Sequence, residues 1–505
     1  MNNLSGTATA GMTAMVAEEA ATALRTQELR ERYLQTVKSL PELDREGRRI
    51  AAQYMCHSEA VYQGEVSDFL YVPKLYTKRE CKRFQEIATT TYAILEKIIA
   101  AYIDDPAYRS YFGFSQELEE LILVDPGYEL AIPIIRIDIF YDEDSGDFKF
   151  CEFNTDGSSA MNEDRETTNA LALTPSFKAF AALHKDKFEL TGFELFDSWV
   201  DTFLDIYTSS ACAKTANNAA QSSSVKGAKP NVVISDFMDI STPIEIERFA
   251  KHFEARGLQV EVCDIRDLRF DKTHTCENGE VRPALVTPSG MKVDALYRRA
   301  VTTDIMKYYD EVSDFLDAYK AGAFTLIGSF RTQLPHTKLS FEVLHMPETL
   351  TLLSNDEQDF IKSHVPYTLR LSEGLSDLAD IVNNKDKWII KPLDSYGSKG
   401  VWAGRELEQA KWEELISTGA TNQDLIAQHY IEQYAAANLE SGFSLPAQEK
   451  PTEIDGLPTV KNYRDLTGLF VYAGEFKGLL ARAGLQDRIC AAAAGKTLGT
   501  FQVSQ

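Results

Sequence analysis

The chain has 505 residues, 44% of them hydrophobic and 25% charged, an ordinary mixture for a globular protein of two or three lobes. Acidic residues outnumber basic ones by 76 to 52. A net charge of −24 repels phosphate backbones and argues against a nucleic-acid partner. No apolar run reaches the roughly 18 residues of a membrane span. The N-terminus carries no basic segment followed by an apolar core, and the seven scattered cysteines form no C-x-x-C pair. A reducing, cytoplasmic setting is therefore expected rather than a disulfide or zinc framework. Nothing in the sequence points to an oligomeric state.

In chain order, residues 17–60 predict helices, rich in Ala, Glu and Arg between Glu18 and Arg32. A long helix is predicted over 77–104, entered at Thr77, with Ala88, Tyr92, Leu95, Ile98 and Ile99 near a 3.6 period. A shorter helix covers 116–123. Two strands follow, 134–141 and 148–153, joined by turn formers at 142–147. Ser158 or Ser159 is placed to cap helical sequence running to 185. A further helix spans 192–208, and 209–230 has linker composition. From 231 the pattern becomes strand, helix, strand, strand (231–235, 242–256, 258–263, 293–298). This is a small parallel α/β unit, with no G-x-G-x-x-G to make a dinucleotide site. Helices are expected over 308–321, 335–344 and 353–364, and strands at 324–328, 387–391 and 425–431. A polar loop over 434–462 precedes a hairpin from 468–472 to 476–482.

Two stretches carry chemistry. In the early hairpin, side-chain alternation puts Arg136 and Asp138 on one face, and Glu152 and Asn154 on one face. Centring the turn on Ser145 sets Asp138 opposite Glu152 and Arg136 opposite Asn154. Such hairpins are commonly sheets with a solvated face. Here Ile134, Ile135, Ile137, Ile139, Phe148, Phe150 and Phe153 make both faces apolar, and buried carboxylates need partners or a cation. Two carboxylates and an amide oxygen suit a hard cation such as Mg²⁺, shared with substrate phosphates. Cys151 is expected to point to the opposite face as core filler. The second stretch runs from Lys391 and Pro392 through Ser395, Gly397, Ser398, Lys399 and Gly400 into another strand. Its glycines can bring backbone N–H groups close to phosphate oxygens that the lysine neutralises. A plain turn with a surface lysine is the competing reading. The histidines form no i,i+4 pair, and none is assigned to a metal.

Together these residues resemble the ATP-grasp ligases. The closer resemblance is to the synthetase domain of glutathionylspermidine synthase and its relatives, in which the order is circularly permuted and the metal hairpin precedes the lysine strand. That group's Arg-x-Asp…Glu-x-Asn-x-Asp motif is matched by Arg136, Asp138, Glu152, Asn154 and Asp156. Its following serines, which approach a peptide substrate, are matched by Ser158 and Ser159. The resemblance implies an α+β, circularly permuted ATP-grasp fold. Its parts would be an N-terminal helical region (1–125), a metal-binding hairpin with flanking helices (126–208), a parallel pre-ATP-grasp unit (231–335) and ATP-grasp lobes (336–505). It implies Mg²⁺ on Asp138, Glu152 and Asn154. It implies ATP held by Lys391, Lys338, Ser395, Gly397, Ser398 and Gly400, with Lys399 the alternative to Lys338 as second phosphate lysine. Gln428 to Ile431 would be the hinge strand against adenine, and Arg136 or Arg482 would steady an acyl phosphate. The activity implied is ATP-dependent joining of a small-molecule or peptide carboxylate to an amine. A phosphotransferase on the same fold and a non-catalytic ATP-binding module are the alternatives. The Gly/Ser loop departs from that of the family, so the substrates of the named enzyme are not carried over.

Overall fold

The computed structural model describes residues 25–62, 64–214, 229–275, 279–395, 399–455, 458–489 and 494–504. Gly397 and Ser398 lie outside the described residues, as do 17–24 and most of the linker expected at 209–230.

An antiparallel sheet carries the early hairpin. Ile134–Tyr141 lies between Phe148–Asn154 and the long strand Lys461–Tyr472, which turns into Glu475–Gly484 and then pairs with Lys496–Leu498. Segments more than 300 residues apart in sequence thus share one sheet, with Gly468 opposite Asp138 and Phe470 opposite Arg136. The region 434–462, expected as a polar loop, adds the strand Ala435–Asn438 to this sheet's edge and a short pair, Phe443–Ser444 with Thr452–Glu453. The strand is three alanines and an asparagine, which carry no β-branched or aromatic signal. The sheet packs on the helix Lys78–Asp104, which starts in a Thr77/Glu80 capping box. That helix buries Phe84, Ile87, Leu95, Ile98 and Tyr102 along one stripe.

The expected parallel unit is present as four strands in the order Thr325–Ile327, Ala295–Arg298, Asn231–Asp236, Gln259–Asp264, every neighbour parallel. A further antiparallel sheet holds Thr368–Arg370, Leu425–His429, Trp388–Pro392 and Trp402–Ala403. Trp388, Trp412 and Ile416 pack it against the helix Gln409–Asn422. The N-terminal region is not all helical: Lys74–Thr77 runs parallel to Thr500–Ser504, near the end of the chain. Neither Ser158 nor Ser159 caps the helix Met161–Ala172. Its first N–H groups, those of Met161 and Asn162, are taken by the Glu245 carboxylate from the parallel unit, an acceptor with charge as well as a lone pair. Among the described residues no helix is long and apolar enough to cross a membrane.

Candidate active site

The hairpin register places the motif as alternation predicted, with Arg136 opposite Asn154 and Asp138 opposite Glu152. Arg136 grips Asp138 with two hydrogen bonds, Nε to Oδ1 at 2.7 Å and Nη2 to Oδ2 at 3.0 Å, and Nη1 donates to the Ser159 carbonyl at 2.7 Å. Asn154 Nδ2 donates to Asp138 Oδ2 at 3.0 Å and reaches Glu152 Oε1 at 3.4 Å. The close approach needs a missing side chain across the sheet. A Cβ on Gly468 would stand 2.7 Å from Asp138 Oδ1 and 2.9 Å from Arg136 Cδ. Sequence reasoning did not single out Gly468, because the requirement arises only from its strand partner.

Just past Glu152 the pairing slips, since Ile139 faces Phe150 and Cys151 is the extra residue of a bulge. Cys151 was expected to point away from Glu152, yet it lines the same pocket as Glu152, because the bulge re-aims it. Burial pushes its thiol up to about 12, so it is no nucleophile near neutrality.

Lys391, on the strand Trp388–Pro392, enters this pocket from the opposite wall. Its Nζ donates to Gln428 Oε1 at 2.8 Å and to the Cys151 carbonyl at 3.3 Å. Lys338 stands between two short helices and donates to the Ser395 carbonyl at 2.8 Å. Its segment is tied to the chain beyond Lys391, because the Lys338 N–H donates to the Leu393 carbonyl at 2.9 Å. Phe153, on the face of the hairpin away from Glu152, stacks on Phe341 with centroids 5.0 Å apart. That contact fixes Lys338's helix against Glu152's strand, and burying a phenylalanine is worth about 1.5–3 kcal/mol.

The electrostatics are unbalanced. Both lysines are buried, and neither forms a salt bridge among the described residues; their hydrogen bonds go to neutral acceptors. Burial lowers the Lys338 ammonium, Glu152 opposes this, and Lys391 adds repulsion. Burial would raise Glu152, but Lys338, then Lys391 and Arg136, outweigh it and hold the carboxyl below its usual range. Burial raises Asp138 despite the Arg136 clamp.

Two adjoining cavities meet at Glu152, Leu466 and Ile489. One is lined by Lys338, Lys391, Ser395, Gln428 and Ile431. The other is lined by Arg136, Asp138, Asn154, Ser158, Ser159 and Arg482. Ile431 lies beyond the strand expected to hold it, which ends at His429. Gln428 turns its amide to Lys391 and Thr368. Gly400 adopts a φ of +70° and packs on Pro392. Arg482 forms one loose ion pair, 3.7 Å to Glu163. Asp156 is closed off by Arg298 and the Thr302 N–H, and so is structural. Arg136 has Nε and both terminal nitrogens bonded within the protein, whereas Arg482 makes no contact but the loose one with Glu163 among the described residues.

Among the described residues, no group of three or more His, Cys, Asp and Glu side chains is arranged to hold a metal ion. Asp138 is clamped by Arg136, and Asn154 serves as a donor to both carboxylates. The donor set fits a Mg²⁺ that draws most of its ligands from phosphates and water, with Glu152 the accessible carboxylate.

No protein-family model and no curated protein matches the sequence. Among solved structures the chain is similar to a glutathione synthetase like-effector from Globodera pallida. The TM-score is 0.54 at 10% identity, over 92% of this chain and 97% of that one. A putative γ-glutamylcysteine synthetase from Methylobacillus flagellatus aligns at TM-score 0.35 and 10% identity, over 82% of this chain and 88% of that one. A D-cycloserine synthetase aligns at TM-score 0.26 and 13% identity, over 55% and 91%. The first likeness shows a shared fold, a mixed helix-and-sheet architecture.

Proposed function

We propose that the protein is an ATP- and Mg²⁺-dependent carboxylate–amine ligase working through an acyl phosphate, akin to the synthetase domain of glutathionylspermidine synthase. The observation that carries this reading is the pair of buried lysines, Lys338 and Lys391, that face a cleft with only neutral protein acceptors and share Glu152 across it. Glu152 is the carboxylate both lysines share, neither is bonded to it directly, and a polyphosphate would give each ammonium a charged acceptor. The order, hairpin before lysine strand, supports the family reading, as does the fold shared with a glutathione synthetase like-effector.

Bound ATP supplies the phosphoryl group that activates a carboxylate, with Mg²⁺ offsetting phosphate charge. In this chain Lys338 and Lys391 bind the phosphates, together with Ser395 and the 397–400 segment. Gln428 fixes the Lys391 ammonium, and Ile431 offers an apolar wall for the base. Glu152 and Asp138 present oxygens to the cation, with Asn154 setting their orientation. Arg136 holds Asp138 and, through the Ser159 carbonyl, the Ser158–Ser159 turn that faces the acid. Arg482 supplies charge where the acyl phosphate forms. Catalysis is then positioning and electrostatics, with no protein nucleophile.

The test is hydroxylamine trapping. The protein is incubated with ATP, Mg²⁺, hydroxylamine and a panel of amino acids and γ-glutamyl peptides. A ligase yields hydroxamate and ADP in equal amounts. A stable phospho-product instead makes it a phosphotransferase. A rise in Tm with ATP but no turnover makes it a binding module.

A further inference from the structure

The ligase reading gives no role to Glu163, the third residue of the helix Met161–Ala172. Glu163 lines the same cavity as Arg136, Asp138, Ser159 and Arg482, and it is 6% exposed. The other carboxylates of that cavity are engaged. Arg136 clamps Asp138, and Asn154 donates to Asp138 and reaches Glu152. Arg298 and the Thr302 N–H close off Asp156, and Arg266 holds Asp239 at 2.7 Å. Asp304 has a partner of its own. Asp236 accepts from the Phe237 N–H at 2.8 Å, and its strongest electrostatic partners are Arg299, Asp304 and Asp264. Among the described residues the Glu163 side chain accepts no hydrogen bond from another residue. Its one ion pair is the loose one, Oε1 to Arg482 Nη2 at 3.7 Å. Arg482 is the guanidinium placed where the acyl phosphate forms, so Glu163 stands beside the carbon that the amine must reach. The helix start that carries it is fixed, because the Glu245 carboxylate accepts from the Met161 and Asn162 N–H groups. Four charged groups surround it: Arg482 from the strand Glu475–Gly484, Arg136 from the hairpin, Glu245 from the helix Pro243–Ala255 and Asp164 from its own helix. Burial and Glu245 push the carboxyl up to about 7, with Arg482 and Arg136 opposing.

Ligation makes a demand that phosphoryl transfer does not. An alkylamine has a pKa of roughly 10, like lysine, so near neutrality it arrives as an ammonium with no lone pair. It needs a proton acceptor beside the acyl carbon, and an ammonium is drawn to a carboxylate that the protein has not bonded. We propose that Glu163 is the catalytic base that receives the ammonium of the amine substrate and takes its proton; this rests on the ligase reading. One ammonium proton moves to the Glu163 carboxylate, which becomes the neutral acid. The freed nitrogen pair forms the C–N bond at the acyl carbon. The C–O bond to phosphate breaks with its electron pair on phosphate, which takes up the second N–H proton. The Glu163 proton returns to solvent when product leaves. A carboxyl held at about 7 draws the ammonium proton about 300-fold more strongly than one at the ordinary 4.5.

Hydroxylamine separates the two half-reactions, because it is unprotonated near neutrality and in no need of a base. The experiment compares the wild type with Glu163→Gln, which keeps the shape of the side chain, and Glu163→Asp, which keeps the carboxylate but draws it back. It uses the carboxylate that gives the most hydroxamate and the primary amine that gives the most wild-type amide product by mass. A rise in Tm with ATP reports that each variant is folded. For Glu163→Gln the expected result is hydroxamate formation within about threefold of wild type and amide formation lower by at least about 100-fold. Wild-type amide formation levels off above about pH 7, whereas that of Glu163→Gln keeps rising toward the pKa of the amine. Glu163→Asp shows the same split with a smaller loss, and it decides the matter if Glu163→Gln does not fold. A parallel fall in both products makes Glu163 only a prop for Arg482 and overturns the assignment, as does an unchanged amide rate; either leaves the ligase reading standing. A wild type that forms no hydroxamate with any acid removes the ligase reading itself, and the base with it.

Discussion

Two clusters of buried charge each take a carboxylate from the same antiparallel sheet, Asp465 in one and Glu152 in the other, and their difference separates architecture from function. In one, Lys74 reaches Glu143 at 2.6 Å and also Asp465, while Arg30 pairs with Glu143 and donates to the Tyr434 hydroxyl at 3.1 Å. Two cations meet two carboxylates, and each charge has a partner. Burial pushes Asp465 up to about 6 against the pull of Lys74, but Lys74 and Arg30 together hold Glu143 low. This cluster ties the helix Thr26–Ser39 and the strand Lys74–Thr77 to the tip of the site hairpin, and it leaves nothing over for a ligand. In the other, Glu152 faces two lysines whose hydrogen bonds go to neutral groups. The same kinds of residue, equally buried, make a closed strut in one place and a receptor for an anion in the other.

Breaking the two clusters in parallel gives the largest contrast. Lys391→Met should lower ADP release at least about 100-fold and change Tm little, because Lys391 is bonded only to neutral groups and Glu152 keeps Lys338. Lys74→Met strands Asp465 and leaves Glu143 with Arg30 alone, and should cost about 3–5 kcal/mol in urea unfolding, with ATP affinity of the folded fraction unaltered. Equal destabilisation by the two substitutions would make the cleft lysine another strut.

Within the hairpin the same contrast recurs on a smaller scale. Glu152→Gln should abolish ADP release with the fold intact. Asp138→Asn should do so too, and should also destabilise by about 2–4 kcal/mol, because Arg136 loses the bidentate partner that its burial requires. Retained turnover in both variants would remove the cation assignment. Gly468→Ala comes next. Its new methyl would overlap the Arg136–Asp138 pair, which predicts a loss of about 1–3 kcal/mol and weakened ADP release, measured by urea unfolding and coupled assay.

The register of the hairpin was legible because strand alternation is local and the turn residues fix its centre. The parallel unit was legible for a similar reason, its buried strands being β-branched and spaced by one helix. What the sequence concealed is long-range. The bulge at Cys151 and the need for glycine at 468 exist only once the strand at 461–472 is laid beside Ile134–Tyr141. The cap supplied by Glu245 comes from the parallel unit, which outcompetes the nearby serines.

The smallest predicted effect is on stability against pH. Burial beside Glu245, opposed by Arg482, pushes Glu163 up to about 7, above its ordinary value near 4.5. A carboxyl raised in the folded state favours folding while it is protonated. Its stabilisation is therefore present below about pH 4.5 and lost as pH rises through about 7. Glu163→Gln should unfold at the same urea concentration as wild type at pH 4.5 and be about 1–3 kcal/mol more stable at pH 8. A variant less stable than wild type at pH 8 would mean that Arg482 depends on Glu163.

The most direct measurement of the central claim is a crystal structure with a non-hydrolysable ATP analogue and Mg²⁺. The account predicts the phosphates between Glu152 on one wall and Lys338 and Lys391 on the other, the cation on the Glu152 side, and the base beside Ile431. Nucleotide bound elsewhere, with both lysines still facing an empty cleft at saturating analogue, would contradict it.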